Sequence, residues 1–575
     1  MMSSTSKLWP PTIVSCSGKV LLAGGYLVLA RHHHGFVLST PSRFYTVVRD
    51  CNLSQERERT DPLTFKITVD SPQFVGARWV YDVARAEHVD GTDQCIVRPD
   101  PNNASSNPFV HLAIQSTLLL ASALFPSLGS SLGSSLALSD LHIVVVGSND
   151  FYSQQRADST ESSPSLKPFA HLGCAIADVH KTGLGSSAAM TTSLVAALLL
   201  HLDSRASNLC SPLPPPPPPN SSTQFATPPS SNASSTLSTS PSYPIKFPKN
   251  LIANSQLRID QGTLGLIHNL AQYVHSLAQG KVGSGFDVSA AVWGSQVYRR
   301  FESVCLGQSL EVGNMLTPKA LLNLLSPLLN PAWTNNRTAP NVAPFGLPPG
   351  MTLLLADVDA GSHTPSMVGK VLAWKKAEKE QADRIWSELH QANNDFAEIL
   401  AKLSRGAKEN PEFYEEQVQR FTGISSREWS ELSGFKIASQ HILSIRTLMR
   451  EMGERSNVPI EPVEQTKLLD AVSELPGVVG AGVPGAGGYD AIWVLALSPP
   501  LSDSVLHPLE KVQDTLRGWK EMSVRPLSKL AWIVGGSGGG GGGEERSGSA
   551  EMVGLKRERM EEVQGLKEVV EAVVV

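Results

Sequence analysis

Residues Lys181–Ala189 read KTGLGSSAA, and MTTSLVAALLLHL follows at once over 190–202. Two glycines allow a tight turn and leave room for a ligand to approach the backbone. Two serines stand where helix caps belong, and the run from Ala188 onward is a strong, nearly uncharged helix former, so a buried helix is predicted to start there. A glycine-rich loop feeding a helix start presents free N–H groups and the positive end of the helix dipole, which suits an anion such as a nucleotide phosphate. A turn with a cap explains the same residues equally well, so the loop gains meaning only from its surroundings. The GxxxxGK[ST] phosphate loop is absent, and no GxGxxG stands between a strand and a helix with an acid beyond.

Working outward, the segment before the loop reads as strands. Thr12–Val20, Phe36–Ser39, Phe44–Arg49, Thr64–Val69 and Trp79–Val83 are short and rich in Val, Thr and aromatics, with Gly, Pro or Asp between them. Asn107-Pro108 caps a helical stretch, and LHIVVVG (Leu141–Gly147) is a further strand. From Asp203 to Pro248 the chain holds the proline run Pro214–Pro219 amid Ser, Thr and Asn. That composition predicts a disordered insertion of polyproline character, a place for a protein partner that nothing else in the sequence supports. Helical pattern resumes at Leu251. A second unit begins near Pro349 with the strand Met351–Asp359, continues through amphipathic helices, and closes on strand, glycine turn and strand over Gly477–Leu497. Strands followed by runs of helices predict an α+β fold. Gly535–Gly543 reads as a flexible linker and Glu551–Val575 as a loose terminal helix.

The chain has 575 residues, 41% of them hydrophobic, and a net charge of −5. That balance argues against a nucleic-acid surface, and no basic block interleaved with aromatics occurs. Six cysteines without a CxxC pair exclude a zinc ribbon and fit a reducing compartment. The start, MMSSTSKLWPP, lacks the apolar core of a secretory signal, and Leu112–Phe125 is too short and too polar at Gln115 for a membrane span. A soluble, cytoplasmic protein is the expectation.

Three further stretches carry chemistry. SCSGKVLLAGGYLVLA (Ser15–Ala30) places Lys19 before an apolar run, so its ammonium is expected beside a partly buried site. KVGSGFDVSAAVWG (Lys281–Gly294) has Asp287 as its only acid, either a cap or a paired functional carboxylate. VPGAGGYD (Val483–Asp490) is a glycine turn. In this order, SGKVLLAGGYLVL, GLGSSAA and PGAGGYDAIWVLAL resemble the three motifs of the GHMP kinase superfamily. HNLAQYVHSLAQGKVGSGFDVSAAVWG (His268–Gly294), ADVDAGSHTPSMVGKVLAW (Ala356–Trp374) and IEPVEQTKLLD (Ile460–Asp470) resemble, within it, the phosphomevalonate kinase family of the fungal type. The resemblance spans about Ser15 to Leu497 outside the insertion.

The resemblance implies an N-terminal ATP-binding domain over 1–300 of the ribosomal-S5 domain 2 type, a ferredoxin-like α/β domain over 345–534, and a tail over 535–575. It implies phosphorylation of 5-phosphomevalonate by ATP with Mg²⁺. Lys19 and Asp287 would face the transferred phosphoryl group. Lys181, Thr182, Gly183, Leu184, Gly185, Ser186, Ser187, Ala188 and Ala189 would hold the nucleotide, with Ser187 as a Mg²⁺ ligand. Ser284, Gly285, Ser362, Thr364, Gly485, Gly487 and Gly488 would contact the substrate or support it. Departures from the family pattern are Val179 in place of a proline before the loop, Gly24-Gly25 in place of Gly-Glu, and Ser276 where mevalonate kinases carry a metal-binding Glu. A mevalonate kinase and a non-catalytic sensor of the same fold are the alternative readings. Lys181, Lys281 and Arg446 are the cations considered for a second phosphate.

Overall fold

Runs of β-branched and aromatic residues in the first half pair into one large sheet, as a half-buried pleated surface requires. The structure is a computed structural model. It describes residues 9–51, 64–87, 93–125, 140–153, 167–209, 259, 261–304, 306–307, 316–333, 342–358, 364–499, 508–528, 532–535 and 554–573. The first-half strands are β1 (Thr12–Ala23), β2 (Gly35–Asp50), β3 (Thr64–Asp70), β4 (Arg78–Glu87), β5 (Asp93–Pro99) and β6 (Leu141–Gly147), with α1 (Pro108–Leu124) between the last two. Helices α2 (Ser186–Leu209), α3 (Gln261–Gln279) and α4 (Phe286–Trp293) follow, then β7 (Gln296–Tyr298), α5 (Pro318–Leu325) and β8 (Val342–Pro344). The strands run in the order β1-β2-β6-β3-β4-β5, with β7 on the end of β2.

The predicted strands Phe36–Ser39 and Phe44–Arg49 belong to one strand, because the chain runs on through Thr40–Ser42 without a turn while its pairing with β1 shifts register there. β1 is buried along almost its whole length, since α2 and α4 pack over it. α2 is apolar enough to cross a membrane by composition, but 89% of its apolar window is buried inside the protein, so it is a core helix. It begins at Ser186 rather than Ala188 and runs on to Leu209, so the first residues of the proposed insertion are helical. The rest of that insertion, and the glycine run after Gly535, lie outside the described residues.

The second half holds β9 (Met351–Val358), α6 (Thr364–Ala377), α7 (Lys379–Glu409), α8 (Pro411–Thr422), α9 (Gly434–Ser456), α10 (Val463–Ser473), β10 (Val478–Gly482), β11 (Ala491–Leu497), α11 (Pro508–Gly518), β12 (Val524–Pro526) and β13 (Ile533–Val534). Its sheet runs β10-β11-β9-β12, antiparallel throughout, with every residue of β9 and β11 buried.

Two facts revise the expected ends. The segment read as a loose tail is packed: β14 (Lys556–Arg557) pairs with β1 through Val14–Arg557 and Ser15–Lys556, and α12 (Leu566–Glu571) buries Leu566 and Val570 against Ile13, Val47 and Val144. These apolar side chains outweigh the low apolar content of the glycine-rich run before them. Arg446, considered as a phosphate ligand, is committed elsewhere. Its guanidinium donates to Glu461 at 2.7 and 3.1 Å and pairs with Asp470 at 2.8 Å, while Arg450 reaches the same Glu461 at 2.8 Å. Burial alone would raise the Glu461 carboxyl, but the two arginines outweigh it and hold it below the ordinary glutamate range. An unfolded glutamate titrates near 4.3. The pair therefore stabilises the fold above that pH and stops doing so as pH falls through the lowered folded value. Glu461→Gln is expected to cost about 3–5 kcal/mol, because it removes the buried carboxylate shared by Arg446 and Arg450 and leaves Arg446 only the half-exposed Asp470. Urea unfolding checks it: the loss should be large at pH 7 and shrink toward pH 3.

Candidate active site

Lys19 is placed by an irregularity in β1. The register with β2 shifts between Ser17 and Lys19, and the Lys19 N–H turns away from the sheet to donate to the Leu184 carbonyl at 2.9 Å. Bulges of this kind re-aim side chains at functional sites. Gly18 makes the approach possible, since a Cβ there would sit 2.6 Å from Thr40 Oγ1 and 3.1 Å from the Leu184 oxygen. The Lys19 ammonium then reaches the Gly183 carbonyl at 2.6 Å and lies 5.4 Å from the Phe286 ring centroid. Burial lowers its pKa, opposed by the charges of Asp287 and, from the second half, Asp490.

Gly185 is the hinge of the arrangement. Its φ is +79°, and a Cβ there would lie 3.0 Å from Lys19 Cε and 3.7 Å from Asp287 Cβ. The loop backbone thus runs between the lysine and the aspartate with no room for a side chain. Gly183, φ +75°, faces open space. Leu184, Ser186, Ala188 and Ala189 are buried and anchor the helix start. Thr182 is buried, and its hydroxyl is spent on the Asp150 carbonyl at 2.5 Å, so it fixes the loop rather than presenting a free donor. Lys181 is exposed and bridges to Tyr152 through its backbone.

Asp287 stands in the first turn of α4, with its Oδ1 accepting from the Val288 N–H at 2.9 Å. The chain reaches it through Gly285 at φ +78°, the left-handed N-cap. Three residues that the sequence did not mark hold this entry. Gln272 donates to the Gly285 carbonyl at 2.6 Å, Tyr298 to that of Ser284 at 2.7 Å, and Arg300 to those of Val282, Gly283 and Leu29 at 3.0, 2.6 and 2.7 Å. The carbonyls of Ser284 and Gly285 are therefore engaged within the fold. Ser187 Oγ lies 3.2 Å from Nε2 of His275, which the sequence also left unmarked; burial lowers that imidazole's pKa, against the pull of Asp287. The Ser276 mismatch points to this turn of α3, one residue away.

The third glycine turn comes from the other half. The Gly485 N–H faces the Leu21 carbonyl at 3.4 Å, and Tyr26 donates to the Ala486 carbonyl at 2.9 Å, which brings the turn onto the loop after β1. Gly487 and Gly488 serve packing: Gly488 donates to the Ile460 carbonyl at 2.8 Å, and a Cβ on Gly487 (φ +71°) would stand 2.0 Å from that oxygen. Gly487→Ala should therefore destabilise the protein by about 3 kcal/mol, read as a lower denaturation midpoint. Asp490, which ends the turn, is the residue of that motif whose charge acts on Lys19. Thr364 opens α6, whereas Ser362 lies outside the described residues.

Among the described residues no cluster of three His, Cys, Asp or Glu could hold a metal ion. Ser187 Oγ is a hard oxygen at the loop mouth, which suits a Mg²⁺ ion bound chiefly by nucleotide phosphates and water.

The chain is 35% identical over 512 residues to "Phosphomevalonate kinase, peroxisomal" of Arabidopsis thaliana, covering 84% of this chain and 90% of that protein. It is 32% identical over 515 residues to phosphomevalonate kinase erg8 of Aspergillus fumigatus, covering 85% and 88%. No family model matches it. Among solved structures, the Lin0012 protein of Listeria innocua aligns with a TM-score of 0.51 at 14% identity, over 90% of this chain and 97% of that one, a likeness of fold alone.

Proposed function

The chain belongs to the phosphomevalonate kinase family of the GHMP kinases, and from that premise we infer that it transfers the terminal phosphoryl group of ATP to 5-phosphomevalonate. The products are ADP and 5-diphosphomevalonate, on the mevalonate route to isoprenoids and sterols. The observation that carries the reading is the convergence of Lys19, the Gly183–Ser187 loop and Asp287 around Gly185.

Phosphoryl transfer asks for positioning and charge neutralisation. The loop N–H groups and the α2 start would cradle the ATP phosphates, and Lys19 would neutralise charge on the transferred group. Mg²⁺, with Ser187 as a ligand, would neutralise phosphate charge when bound. The nucleophile is a phosphate monoester oxygen with a second pKa near 6, already largely deprotonated at neutral pH. Asp287 therefore acts chiefly by orienting Lys19 and the acceptor. With Arg446 committed to Glu461, Lys181 and Lys281 remain as the cations for the acceptor's phosphate. The nucleotide would lie between a first half over 1–300, to which residues 554–573 add β14 and α12, and a second over 345–534.

An ADP-release assay on the purified protein decides the acceptor. Turnover with 5-phosphomevalonate and none with mevalonate is expected. The reverse would make it a mevalonate kinase, and nucleotide binding without turnover on either would make it a sensor. We place the enzyme in the cytoplasm, and a fluorescent fusion tests this. Coincidence with a peroxisomal marker, as the name of the Arabidopsis relative suggests, would overturn it.

A further inference from the structure

His275 lies on α3, is 6% exposed, and packs beside the Phe109 ring at 5.6 Å. Two polar groups converge on its Nε2: Ser187 Oγ at 3.2 Å and the Gln279 side-chain nitrogen at 3.3 Å. A side-chain amide nitrogen can only donate. With the Gln279 amide so oriented, Nε2 carries the lone pair, and the Ser187 hydroxyl facing the same nitrogen shares it as a second donor. A hydroxyl whose proton is fixed in this way has its lone pairs fixed too, directed away from the imidazole. A serine that ligates a cation needs that state: oxygen lone pair to the cation, proton to another acceptor.

We propose that His275 is a positioning residue that accepts the hydrogen bond of the Ser187 hydroxyl and so sets the Ser187 oxygen as a ligand for the nucleotide-bound cation. The proposal rests on the reading of Ser187 as a metal ligand. It also accounts for the sequence at this turn of α3: with Ser276 in place of a carboxylate, the neighbouring side chain contributes through the serine rather than by touching the metal. Gln279, one helical turn on, holds the ring from the same side.

The test compares binding of the non-hydrolysable analogue AMPPNP with Mg²⁺ and with the metal chelated, by calorimetry on the full chain. The ratio of the two affinities isolates the metal-dependent part and needs no turnover. Three outcomes are expected together. Ser187→Ala lowers the ratio. His275→Asn, polar but too short to reach Ser187, lowers it about five-fold, as loss of one hydrogen bond predicts, while His275→Gln, whose amide oxygen reaches the Nε2 position, restores most of it. Adding His275→Asn to Ser187→Ala changes the ratio no further, because the two act as one unit. An unchanged ratio in Ser187→Ala would overturn the metal-ligand reading itself. A lowered ratio in Ser187→Ala with an unchanged one in His275→Asn, or additive losses in the double variant, would overturn the role of His275 alone. Both histidine replacements are polar and of smaller volume, and circular dichroism confirms that each is folded.

Discussion

Lys19→Met lowers kcat by about three orders of magnitude, the upper range for removing one preorganised donor from a developing negative charge. The methionine fills the channel beside Gly185, so the fold and the loop survive. Nucleotide affinity falls far less than kcat, because the loop N–H groups and helix start remain. The wild-type pH profile carries the same signature. Burial lowers the lysine's pKa, so its ammonium is lost as pH rises through a value below the ordinary lysine range. The rate falls on that alkaline limb. Lys19→Arg keeps a charge across the whole range and abolishes the limb. It recovers only part of the activity, since the tight gap between Lys19 Cε and Gly185 has no space for a guanidinium. Steady-state kinetics from pH 6 to 10 on the three proteins is the measurement. A Lys19→Met enzyme within tenfold of wild type would remove Lys19 from the chemistry.

Asp287→Asn is expected to lower kcat by about two to three orders of magnitude, and its pH profile separates orientation from base catalysis. The carboxylate is the larger of the two charges that raise the Lys19 pKa; without it the lysine titrates lower still. The alkaline limb should therefore move to lower pH in the variant. The acid limb near pH 6, which belongs to the substrate's own phosphate, should persist in both proteins. A general base predicts the opposite: an acid limb present in the wild type and absent in Asp287→Asn. A mevalonate-type alcohol acceptor would need that base, so the experiment also bears on the substrate class.

What the sequence disclosed and what it concealed divide along chain distance. KTGLGSSAA was legible because turn, anion site and helix start are neighbours, although the helix begins two residues earlier than its apolar run suggests. Lys19 and Asp287 stand in motifs whose residue types are unusual for their apolar setting. His275, Gln272, Tyr298 and Arg300 were hidden because each acts on a backbone group or hydroxyl across a fold-dependent gap. Asp490 was passed over beside three conspicuous glycines, although its charge is what links the second half to Lys19. The packing of Leu566 and Val570 on the first sheet was concealed by the glycine-rich run before them, which dominates the local composition but has no bearing on the apolar residues beyond it.

The pairing of β14 with β1 sets a timetable for biosynthesis. β1 emerges from the ribosome first, yet Ser15 meets its partner Glu558 only 543 residues later. At the 5–20 residues per second typical of translation, that interval is of the order of a minute. Throughout it the Val14–Ser15 end of the strand that carries Lys19 is uncovered, able to pair with another nascent chain on the same polysome. Growth temperature and chaperone supply should therefore govern the yield of this protein more strongly than its equilibrium stability does.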